Sequence, residues 1–256
     1  MSKKILLIGD WIEDVSLYGR VTRLCPEAPT AVCWVPEGRE LRTAGGMGLV
    51  AANLEALGAE VFQYVLSKSR KTRFWSGKHL IMRKDEDSIE HKSMDRSILP
   101  RLKDYDAVVV SDYQKGGVTD ENAKVIAYYA NQLGVKLFVD TKNPHPGLYK
   151  NCYAIFPNQA EMLKIDHVGN FEHVICKLGP EGCLVDGHQV YPDKVRDEFD
   201  PTGAGDVFLA TFVTYDLQGW CLEDCARFAN LAAGISVEHQ GSYVLTADDI
   251  KEINNE

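Results

Sequence analysis

The sequence lacks the features that mark membrane, secreted and zinc-binding proteins. No apolar run approaches the roughly 20 residues that a membrane-spanning helix needs, and residues 1–9 show no signal-peptide pattern. The seven cysteines are odd in number and scattered, without paired CxxC spacing, so we expect reduced structural thiols instead of disulfides or a zinc site. These absences predict a cytoplasmic protein with no membrane partner.

Positive charge is also in short supply. Lys and Arg number 28, whereas Asp and Glu number 37, which gives a formal net charge of −9 at pH 7. Nucleic-acid binders need basic surfaces to neutralise phosphates, so we expect no nucleic-acid partner. Internal repeats and low-complexity stretches are absent as well, and a chain of 256 residues is long enough to bury a large core.

What the sequence does contain is a regular alternation of apolar runs, polar turns and helical segments. Residues 4–9 form a continuous apolar run that suits a fully buried strand of a parallel sheet, and residues 107–110, 135–139 and 174–177 repeat this pattern. Each run ends in polar residues. The alternation predicts a doubly wound, mainly parallel α/β sheet with helices on both faces and a site along one edge.

Two regions break this alternation. One is rich in proline and the other is a hairpin pattern around Ser76-Gly77, and both alternate polar with apolar residues. They predict a small sheet of short antiparallel strands that covers the site. We expect this lid to be discontinuous, at about residues 15–43 and 70–86 of a single domain spanning residues 1–256. Because the exposed face of such a sheet needs covering, we also expect a homodimer formed through the lid.

The most informative stretch is Asp200-Pro201-Thr202-Gly203-Ala204-Gly205-Asp206, which an apolar run follows. Two glycines flanking an alanine permit a tight turn, and a helix beginning there directs its N–H groups and positive dipole end at one point. Such a point attracts an anion, and Asp206 lies where a carboxylate takes a proton from an attacking hydroxyl. The same spacing also fits an ordinary glycine-rich turn with Asp206 as a first-turn charge, and spacing alone does not separate these alternatives.

Other strand ends carry further groups that phosphoryl transfer from a nucleotide needs. Lys142 is a candidate for phosphate binding, and Asn158 and Glu161, at i and i+3, share a helix face that suits a hydrated magnesium ion. Asp14, after the first strand, is a candidate for binding a hydroxyl. Lys142 also fits a solvated surface residue, and Asn158 with Glu161 also fits a helix cap. A Walker A loop and the protein-kinase motifs are absent.

The stretch from Asp200 to Asp206 resembles the C-terminal D-x-T-G-A-G-D motif of the ribokinase-like, pfkB-type carbohydrate kinases, and the similarity extends over nearly the whole chain. Further motifs resemble the branch of bacterial heptose 7-phosphate kinases. They are Gly9-Asp10 with Asp14, Tyr18-Gly19, Arg23-Leu24-Cys25-Pro26-Glu27-Ala28-Pro29, Ala44-Gly45-Gly46, Ser111-Asp112-Tyr113 with Lys115-Gly116, Asp140 with Lys142, and Phe228-Ala229-Asn230. The resemblance implies a ribokinase-like fold and transfer of the γ-phosphate of ATP, with Mg²⁺, to a hydroxyl of a sugar or sugar phosphate.

The resemblance also implies a role for individual residues. Asp206 is implied as the catalytic base, with the amides of Gly203, Ala204 and Gly205 as the anion hole. The implied nucleotide and magnesium side comprises Lys142, Lys177, Gly179, Gly182, Asn230, and Asn158 with Glu161, which hold the metal through water. The implied acceptor side comprises Asp14, Gly45, Gly46 and Asp112, with Arg23 and Lys115 as candidates for contacting a phosphate on the acceptor sugar.

Two departures from the family pattern concern the acceptor side. Leu49 stands where family members place an Asn that holds sugar hydroxyls, and Asn53, one helical turn later, is not expected to substitute for it. Residues 66–70 join the strand at 61–65 almost directly to the lid hairpin, where family members carry another helix and strand. A kinase for another small polyol or nucleoside and a catalytically weak nucleotide-binding pseudokinase are therefore alternatives, although the intact Asp206 argues against the pseudokinase.

Overall fold

The computed structural model describes residues 2–165 and 170–255, so the end residues Met1 and Glu256 of the predicted domain lie outside the described residues. The strands are β1 (Lys4–Leu24), β2 (Ala31–Trp34), β3 (Glu40–Gly46), β4 (Glu60–Ser76), β5 (His79–His91), β6 (Ala107–Asp112), β7 (Lys136–Thr141), β8 (Ala154–Ile155), β9 (His173–Lys177), β10 (Cys183–Val185) and β11 (His188–Val190). The α-helices are α1 (Met47–Ala56), α2 (Asp120–Leu133), α3 (Gln159–Met162), α4 (Ala204–Gln218), α5 (Leu222–Val237) and α6 (Ala247–Asn255). Short 3₁₀ segments lie at Arg96–Asp104, Pro146–Tyr149 and Gly179–Glu181.

The strands form a mixed, mainly parallel sheet. Its order is β11-β10-β9-β8-β7-β6-β1-β4-β5, with β2 and β3 paired to β1 beside this path. The strands from β9 to β4 pair in parallel, whereas β10 and β11 close one edge in antiparallel pairing. The central strand β6 is buried along its whole length, as expected for a strand with helices on both faces. The predicted doubly wound α/β fold is therefore confirmed.

Helices cover both faces of this sheet. On one face α1, α4 and α5 share a core with Leu7 of β1, and on the other face α2 and the 3₁₀ segment Arg96–Asp104 share a core with Leu6. Residues 206–216 of α4 are all buried, because this helix packs against both α1 and α5 within the core on that face of the sheet. Among the described residues, the helices are too short or too polar to cross a membrane.

The lid, defined as residues 10–46 and 67–91, differs from the predicted set of short antiparallel strands. Its two central strands are the outer halves of β1 and β4, which pair in parallel from Lys4↔Glu60 to Gly19↔Ser76. Strands β3 and β5 flank them in antiparallel pairing, and β2 pairs with the far end of β1. Because β4 passes from the core into the lid as one strand, the connection at residues 66–70 is direct.

The first strand is also longer than the six residues at 4–9 that the apolar run predicts, since β1 continues to Leu24. The physical reason is that the fold supplies partners for the two acids that interrupt the apolar pattern. Asp10 accepts a hydrogen bond from the Ser67 hydroxyl at 2.5 Å, and Asp14 pairs with Arg73 at 2.5 Å. Both partners come from β4, so the neighbouring strand makes it favourable for carboxylates to lie within a strand.

Candidate active site

The turn before α4 adopts the conformation that its glycines predict. Gly203 has φ +81°, in the left-handed region, and caps α4, so Ala204, Gly205 and Asp206 form the first helical turn. The first N–H groups of a helix lack the usual i−4 acceptor, and here the Asp206 N–H donates to the Gly203 carbonyl at 2.9 Å and the Ala204 N–H makes a longer contact of 3.3 Å with the Pro201 carbonyl. Gly203, Ala204 and Gly205 also line a cavity of about 390 Å³. The N-terminus of α4 is therefore directed at a space where an anion would be stabilised.

Two residues outside the turn hold it in place. The Asp200 carboxylate accepts hydrogen bonds from the backbone N–H groups of Thr202 at 3.0 Å and Gly241 at 2.9 Å. Leu49 packs directly against Gly203, so closely that a Cβ on this glycine would overlap the Leu49 Cδ2 atom. The leucine that replaces the expected asparagine therefore supports the anion-binding turn through packing.

Asp206 carries a buried carboxylate that is hydrogen-bonded to the Tyr113 hydroxyl. Its side chain is 3% exposed, and its Oδ1 accepts a hydrogen bond from the Tyr113 hydroxyl at 2.6 Å. Burial, together with the nearby Asp140 carboxylate, raises the pKa of Asp206 to about 7, although the Tyr113 hydrogen bond, Lys177 and Lys142 each lower it. A carboxylate whose pKa lies near neutrality is suited to accept a proton in a reaction.

Two lysines at the carboxyl ends of the strands lie near this carboxylate. Lys177 Nζ is 2.6 Å from Asp140 Oδ2, and Lys142 Nζ is 3.0 Å from Glu161 Oε1. Burial opposes the charge of Lys142, but the Asp140 and Glu161 carboxylates hold its pKa above the ordinary value. Both lysines line the same cavity as the start of α4. The site thus presents two cations beside a helix N-terminus, which favours phosphate groups.

Asn158 and Glu161 form a reciprocal capping box at the start of α3. The Asn158 side chain accepts from the Glu161 N–H, and the Glu161 carboxylate accepts from the Asn158 N–H, both at 2.8 Å. The helix-cap alternative is therefore realised. No cluster of three or more metal-ligating side chains exists among the described residues. Both side chains offer oxygen atoms, which Mg²⁺ prefers as ligands, and Glu161 lies beside Lys142, the candidate for phosphate binding. This arrangement fits a magnesium ion that keeps most of its waters.

The far end of the cavity is formed between the β9–β11 edge and α5. A Cβ on Gly182 would overlap the Val190 carbonyl oxygen, and the Asn230 amide donates to that same oxygen at 3.2 Å. Arg196, which the sequence did not single out, also lines the cavity and pairs with Glu238 and Glu252. The cavity brings together these residues predicted for the nucleotide side: Lys142, Asn158, Lys177, Gly179, Gly182, Gly203, Ala204, Gly205 and Asn230.

The predicted acceptor residues Asp14, Gly45 and Gly46 lie together within the lid, where β1 pairs with β3. Asp14 is held by Arg73 through one oxygen, and its Oδ2 is 3.2 Å from the Ser242 hydroxyl. A Cβ on Gly45 would overlap this Oδ2, so only glycine leaves room for the carboxylate. Strand β3, which pairs with β1 at Ile12↔Gly45 and Trp11↔Gly46, sets this close approach.

Lys71 and Tyr113 are site residues for which the sequence gave no role. Lys71 is partly buried on β4, and burial lowers its pKa while Asp14 opposes the shift. The like charges of Lys115, Arg73 and Arg83 add to this lowering. Its Nζ lies 5.3 Å from the centre of the Tyr113 ring, and Lys142 Nζ lies 4.9 Å from the same ring. Tyr113 therefore lies between a cation on the acceptor side and one on the nucleotide side.

The other predicted acceptor residues are placed differently. Asp112 is buried below the turn after β6, where its carboxylate accepts from the Thr141 hydroxyl at 2.6 Å and the Gln114 N–H at 2.9 Å, so its observed contacts stabilise the turn. Lys115 Nζ pairs with Asp87 of the lid at 2.6 Å. Arg23 is exposed near the far end of β1, about 30 Å along the strand from Asp14 at ~3.3 Å per residue.

The turn that carries Tyr113 is fixed by Asp10. The Asp10 carboxylate accepts hydrogen bonds from the backbone N–H groups of Tyr113 at 2.9 Å and of Lys115 and Gly117 at 3.1 Å each. Charge-assisted hydrogen bonds of this kind are stronger than neutral ones. Asp10 therefore acts as an anchor for the turn, and its carboxylate is occupied by the protein.

Comparison with known proteins finds relatives that are similar to this chain along nearly its whole length. Bifunctional protein HldE of Sulfurimonas denitrificans is 29% identical over 305 positions, which cover 97% of this chain and 64% of that protein. HldE of Nitratiruptor sp. is 30% identical over 306 positions, covering 98% and 65%. The chain thus spans somewhat less than two thirds of the length of these curated relatives. Both alignments are longer than the 256 residues of the chain, so the relatives carry stretches that it lacks.

Solved structures and a family-wide sequence model agree with these relatives. The ribokinase of Arabidopsis thaliana, solved with ribose and ATP, superposes with a TM-score of 0.73 at 17% identity over 99% of each chain, which shows a shared fold. The sequence model described as "pfkB family carbohydrate kinase" matches residues 78–248. Since this match covers more than half of the 256 residues of the chain, the chain belongs to the pfkB family of carbohydrate kinases.

Proposed function

We propose that the protein transfers the γ-phosphate of ATP to a hydroxyl of a sugar or sugar phosphate, with Asp206 as the base. The observation that carries the proposal is the position of Asp206 in the first turn of α4. Its carboxylate is buried, its pKa is raised to about 7, and it adjoins a turn whose amides and neighbouring lysines suit phosphate groups. A proton acceptor and an anion site side by side are what phosphoryl transfer to a hydroxyl needs.

In the proposed reaction Asp206 takes the proton of the acceptor hydroxyl while that oxygen forms a bond to the γ-phosphorus. The bond between this phosphorus and the oxygen of ADP breaks, and ADP leaves. The amides of Gly203, Ala204 and Gly205 stabilise the negative charge on the transferred group. Lys142 and Lys177 neutralise the phosphates of the nucleotide. The raised pKa of Asp206 makes its carboxylate a stronger base than an exposed aspartate.

We place the nucleotide in the cavity of about 390 Å³ that leads from Tyr113 to α5. This volume lies within the usual range of small-molecule sites. Gly179, Gly182 and Asn230 shape the end distant from Asp206. We place Mg²⁺ near Asn158 and Glu161, which would hold it through water, and it would supply further positive charge at the phosphates.

The acceptor side is proposed from residues of the lid strands. Asp14 offers a carboxylate for a hydroxyl, and Gly45 and Gly46 leave room beside it. An acceptor with an anionic group would find Lys71 and Lys115, which lie near each other and are both largely enclosed. A heptose phosphate, the acceptor that the motif resemblance implies, carries such a group. Leu49 supplies no hydrogen bond, so we expect one hydroxyl fewer to be recognised than in family members with asparagine there.

The experiment is an assay of ADP release by the purified protein over a panel of free and phosphorylated sugars, polyols and nucleosides. The proposal predicts turnover that depends on one phosphorylated sugar, with mass spectrometry showing one phosphate added. Turnover of a neutral polyol or nucleoside alone would favour the first alternative. Tight ATP binding without turnover of any acceptor would favour a pseudokinase, for which the direct core-to-lid connection of β4 is the motivating observation.

We also propose that the protein is a cytoplasmic homodimer that associates through the lid. All seven cysteines are free thiols, which fits a reducing compartment. Several large apolar side chains of the lid strands are exposed, and exposed apolar surface is typical of a contact surface. They are Leu24, Trp34, Leu41, Leu80, Ile81, Met82 and Ile89.

A further inference from the structure

Tyr113 separates the carboxylate of Asp206 from the cavity. Tyr113 lines the cavity, whereas Asp206 is 3% exposed and lies behind it. The tyrosine is held there from both ends, because its backbone N–H donates to Asp10 at 2.9 Å and its hydroxyl donates to Asp206 at 2.6 Å. The phenol of Tyr113 therefore contacts this oxygen of Asp206 at the wall of the cavity.

The hydrogen bond from Tyr113 to Asp206 has the geometry that an acceptor requires. A general base must lie about 2.6–3.2 Å from the oxygen whose proton it takes. Oδ1 of Asp206 already has a hydroxyl oxygen at 2.6 Å, and that oxygen belongs to the protein. A phenol and a sugar hydroxyl are both O–H donors, so the two compete for one acceptor atom. The contact also satisfies a buried carboxylate that would otherwise be costly to leave unpaired.

We propose that the Tyr113 hydroxyl occupies the position of the acceptor hydroxyl on Asp206 while no acceptor is bound, and that acceptor binding displaces it. This inference rests on the proposed kinase function. Tyr113 is then a positioning residue, which holds the base in one orientation and shields it from water until the acceptor arrives. Lys71 Nζ, 5.3 Å from the centre of its ring, belongs to the proposed acceptor side, and Lys142 Nζ, 4.9 Å from the same centre, belongs to the proposed nucleotide side.

The ionisable groups around Asp206 determine how replacement of the Tyr113 hydroxyl by the acceptor hydroxyl affects the pH dependence of the rate. Tyr113 faces it from the turn after β6, Asp140 and Lys142 from the end of β7, and Lys177 from β9. The Tyr113 hydrogen bond lowers the pKa of Asp206, so its loss raises that pKa. The ratio kcat/KM for the acceptor reports the enzyme before the acceptor binds, whereas kcat reports the complex. Displacement of Tyr113 therefore affects the two profiles differently.

The test uses the variant Tyr113→Phe, which keeps the ring and removes the hydroxyl. With ATP saturating, we expect the acidic limb of kcat/KM to move to higher pH, while the acidic limb of kcat stays in place. Because no hydroxyl has to be displaced, KM for the acceptor above pH 8 falls about 3- to 10-fold, within the range for one hydrogen bond. Equal shifts of both limbs, no shift at all, or an unchanged or raised KM would each overturn the proposal.

The matched control is Tyr153→Phe. The Tyr153 hydroxyl donates to Asp216 of the same helix α4, also at 2.6 Å, but at the opposite end of that helix from Asp206. This variant loses an equivalent tyrosine–carboxylate contact, so both pH limbs and KM should match those of the wild type. If it reproduced the effects of Tyr113→Phe, those effects would reflect a general loss of stability, and the proposal would be overturned.

A second measurement needs no variant and covers the case in which Tyr113→Phe does not fold. In a structure of the wild-type protein with the acceptor and a non-hydrolysable ATP analogue, the Tyr113 hydroxyl oxygen should lie more than about 3.5 Å from Asp206 Oδ1, beyond hydrogen-bonding distance. A hydrogen bond retained beside the bound acceptor would contradict displacement. Failure of the wild type to phosphorylate any acceptor would instead refute the proposed function.

Discussion

At the scale of single residues, the proposed chemistry depends on how the fold treats one carboxylate. Asp206 is taken out of water by α4 and by Tyr113, and burial raises its pKa to about 7. Lys142 and Lys177 lie close enough to limit that rise, although each also has a carboxylate of its own, Glu161 and Asp140. The site therefore raises the pKa of its proposed base to near neutrality, while the pKa of Lys142 stays above its ordinary value.

The pH dependence of turnover follows from this balance. Asp206 accepts a proton only when it is ionised, so kcat/KM should rise tenfold per pH unit below about 7 and level off above it. Initial rates between pH 5 and 9, with the pH stability of the protein checked in parallel, measure the profile. A flat profile across pH 5–8 would show that no group with this pKa acts as the base.

The same shift predicts a dependence of folding stability on pH. The folded pKa of about 7 lies above the ordinary value of 3.8, so between these values the folded state binds more protons than the unfolded state. The stabilisation from the protonated form is complete below about pH 4 and is lost as the pH rises through 7. Urea unfolding should show the wild type losing stability relative to Asp206→Asn over this window, whereas parallel curves for the two proteins would argue against the shift.

Recognition of an anionic acceptor is assigned to Lys71. Replacing it with methionine keeps much of the apolar length and removes the charge, so KM for a phosphorylated acceptor should rise about 10- to 100-fold, as for a lost charged hydrogen bond. The control is Lys68→Met on the same strand, because Lys68 pairs with Glu90 and is more exposed. Steady-state kinetics measure both variants, and equal KM values for wild type and Lys71→Met would remove Lys71 from the site.

At the scale of elements, the anion site depends on the turn that begins α4. Any other residue at position 203 is disfavoured for two reasons: the backbone has φ +81°, and a side chain there would overlap Leu49. Gly219, at the other end of α4 with φ +94°, has the same backbone requirement but open space around its Cα. The two glycines therefore separate the cost of a left-handed backbone from the cost of a steric overlap.

Alanine substitutions at these two positions test the packing of the turn. Gly219→Ala should cost about 1–2 kcal/mol of unfolding free energy, the penalty for a left-handed alanine, and should retain turnover. Gly203→Ala should cost roughly 1–3 kcal/mol more because of the overlap with Leu49, and turnover should be lost. Urea unfolding and ADP release measure these effects. Equal stability losses for the two variants would show that Leu49 does not support the turn.

Local sequence patterns predict the helices well and the lid strands poorly. Helix α4 spans Ala204–Gln218 as expected, since its capping glycine and apolar run lie within a few residues of each other. The continuation of β1 past Asp10 was not predicted, because acids are unfavourable in strands and their partners on β4 lie 57 and 59 residues away. The contact between Tyr113 and Asp206 spans 93 residues, and no local pattern encodes it.

At the scale of the whole molecule, the lid sheet is continuous with the core sheet through β1 and β4. The proposed acceptor residues Asp14 and Lys71 are on these two strands, whereas the proposed anion site is on α4. A lid built in this way is positioned by the core strands themselves, without a flexible connection at residues 66–70. We infer that the acceptor side is largely preformed, which reduces the ordering cost of acceptor binding.

The exposed apolar surface of the lid predicts self-association. Sedimentation velocity at micromolar concentration should show a dimer, and Trp34→Lys, which places a charge on a residue that is 61% exposed on β2, should give monomers. The control is Tyr128→Lys on α2, where a side chain that is 60% exposed lies outside the lid. A wild-type protein that remains monomeric, or a Tyr128→Lys variant that dissociates equally, would count against a lid-mediated dimer.

The central claim is that Asp206 is the base of a phosphoryl transfer, and the variant Asp206→Asn tests it most directly. The amide keeps the size of the side chain and cannot accept the proton, so turnover of the phosphorylated acceptor should fall at least about 10³-fold. Calorimetry should give an ATP affinity within twofold of the wild type, because the cavity residues are untouched. Turnover close to the wild-type rate would contradict the account.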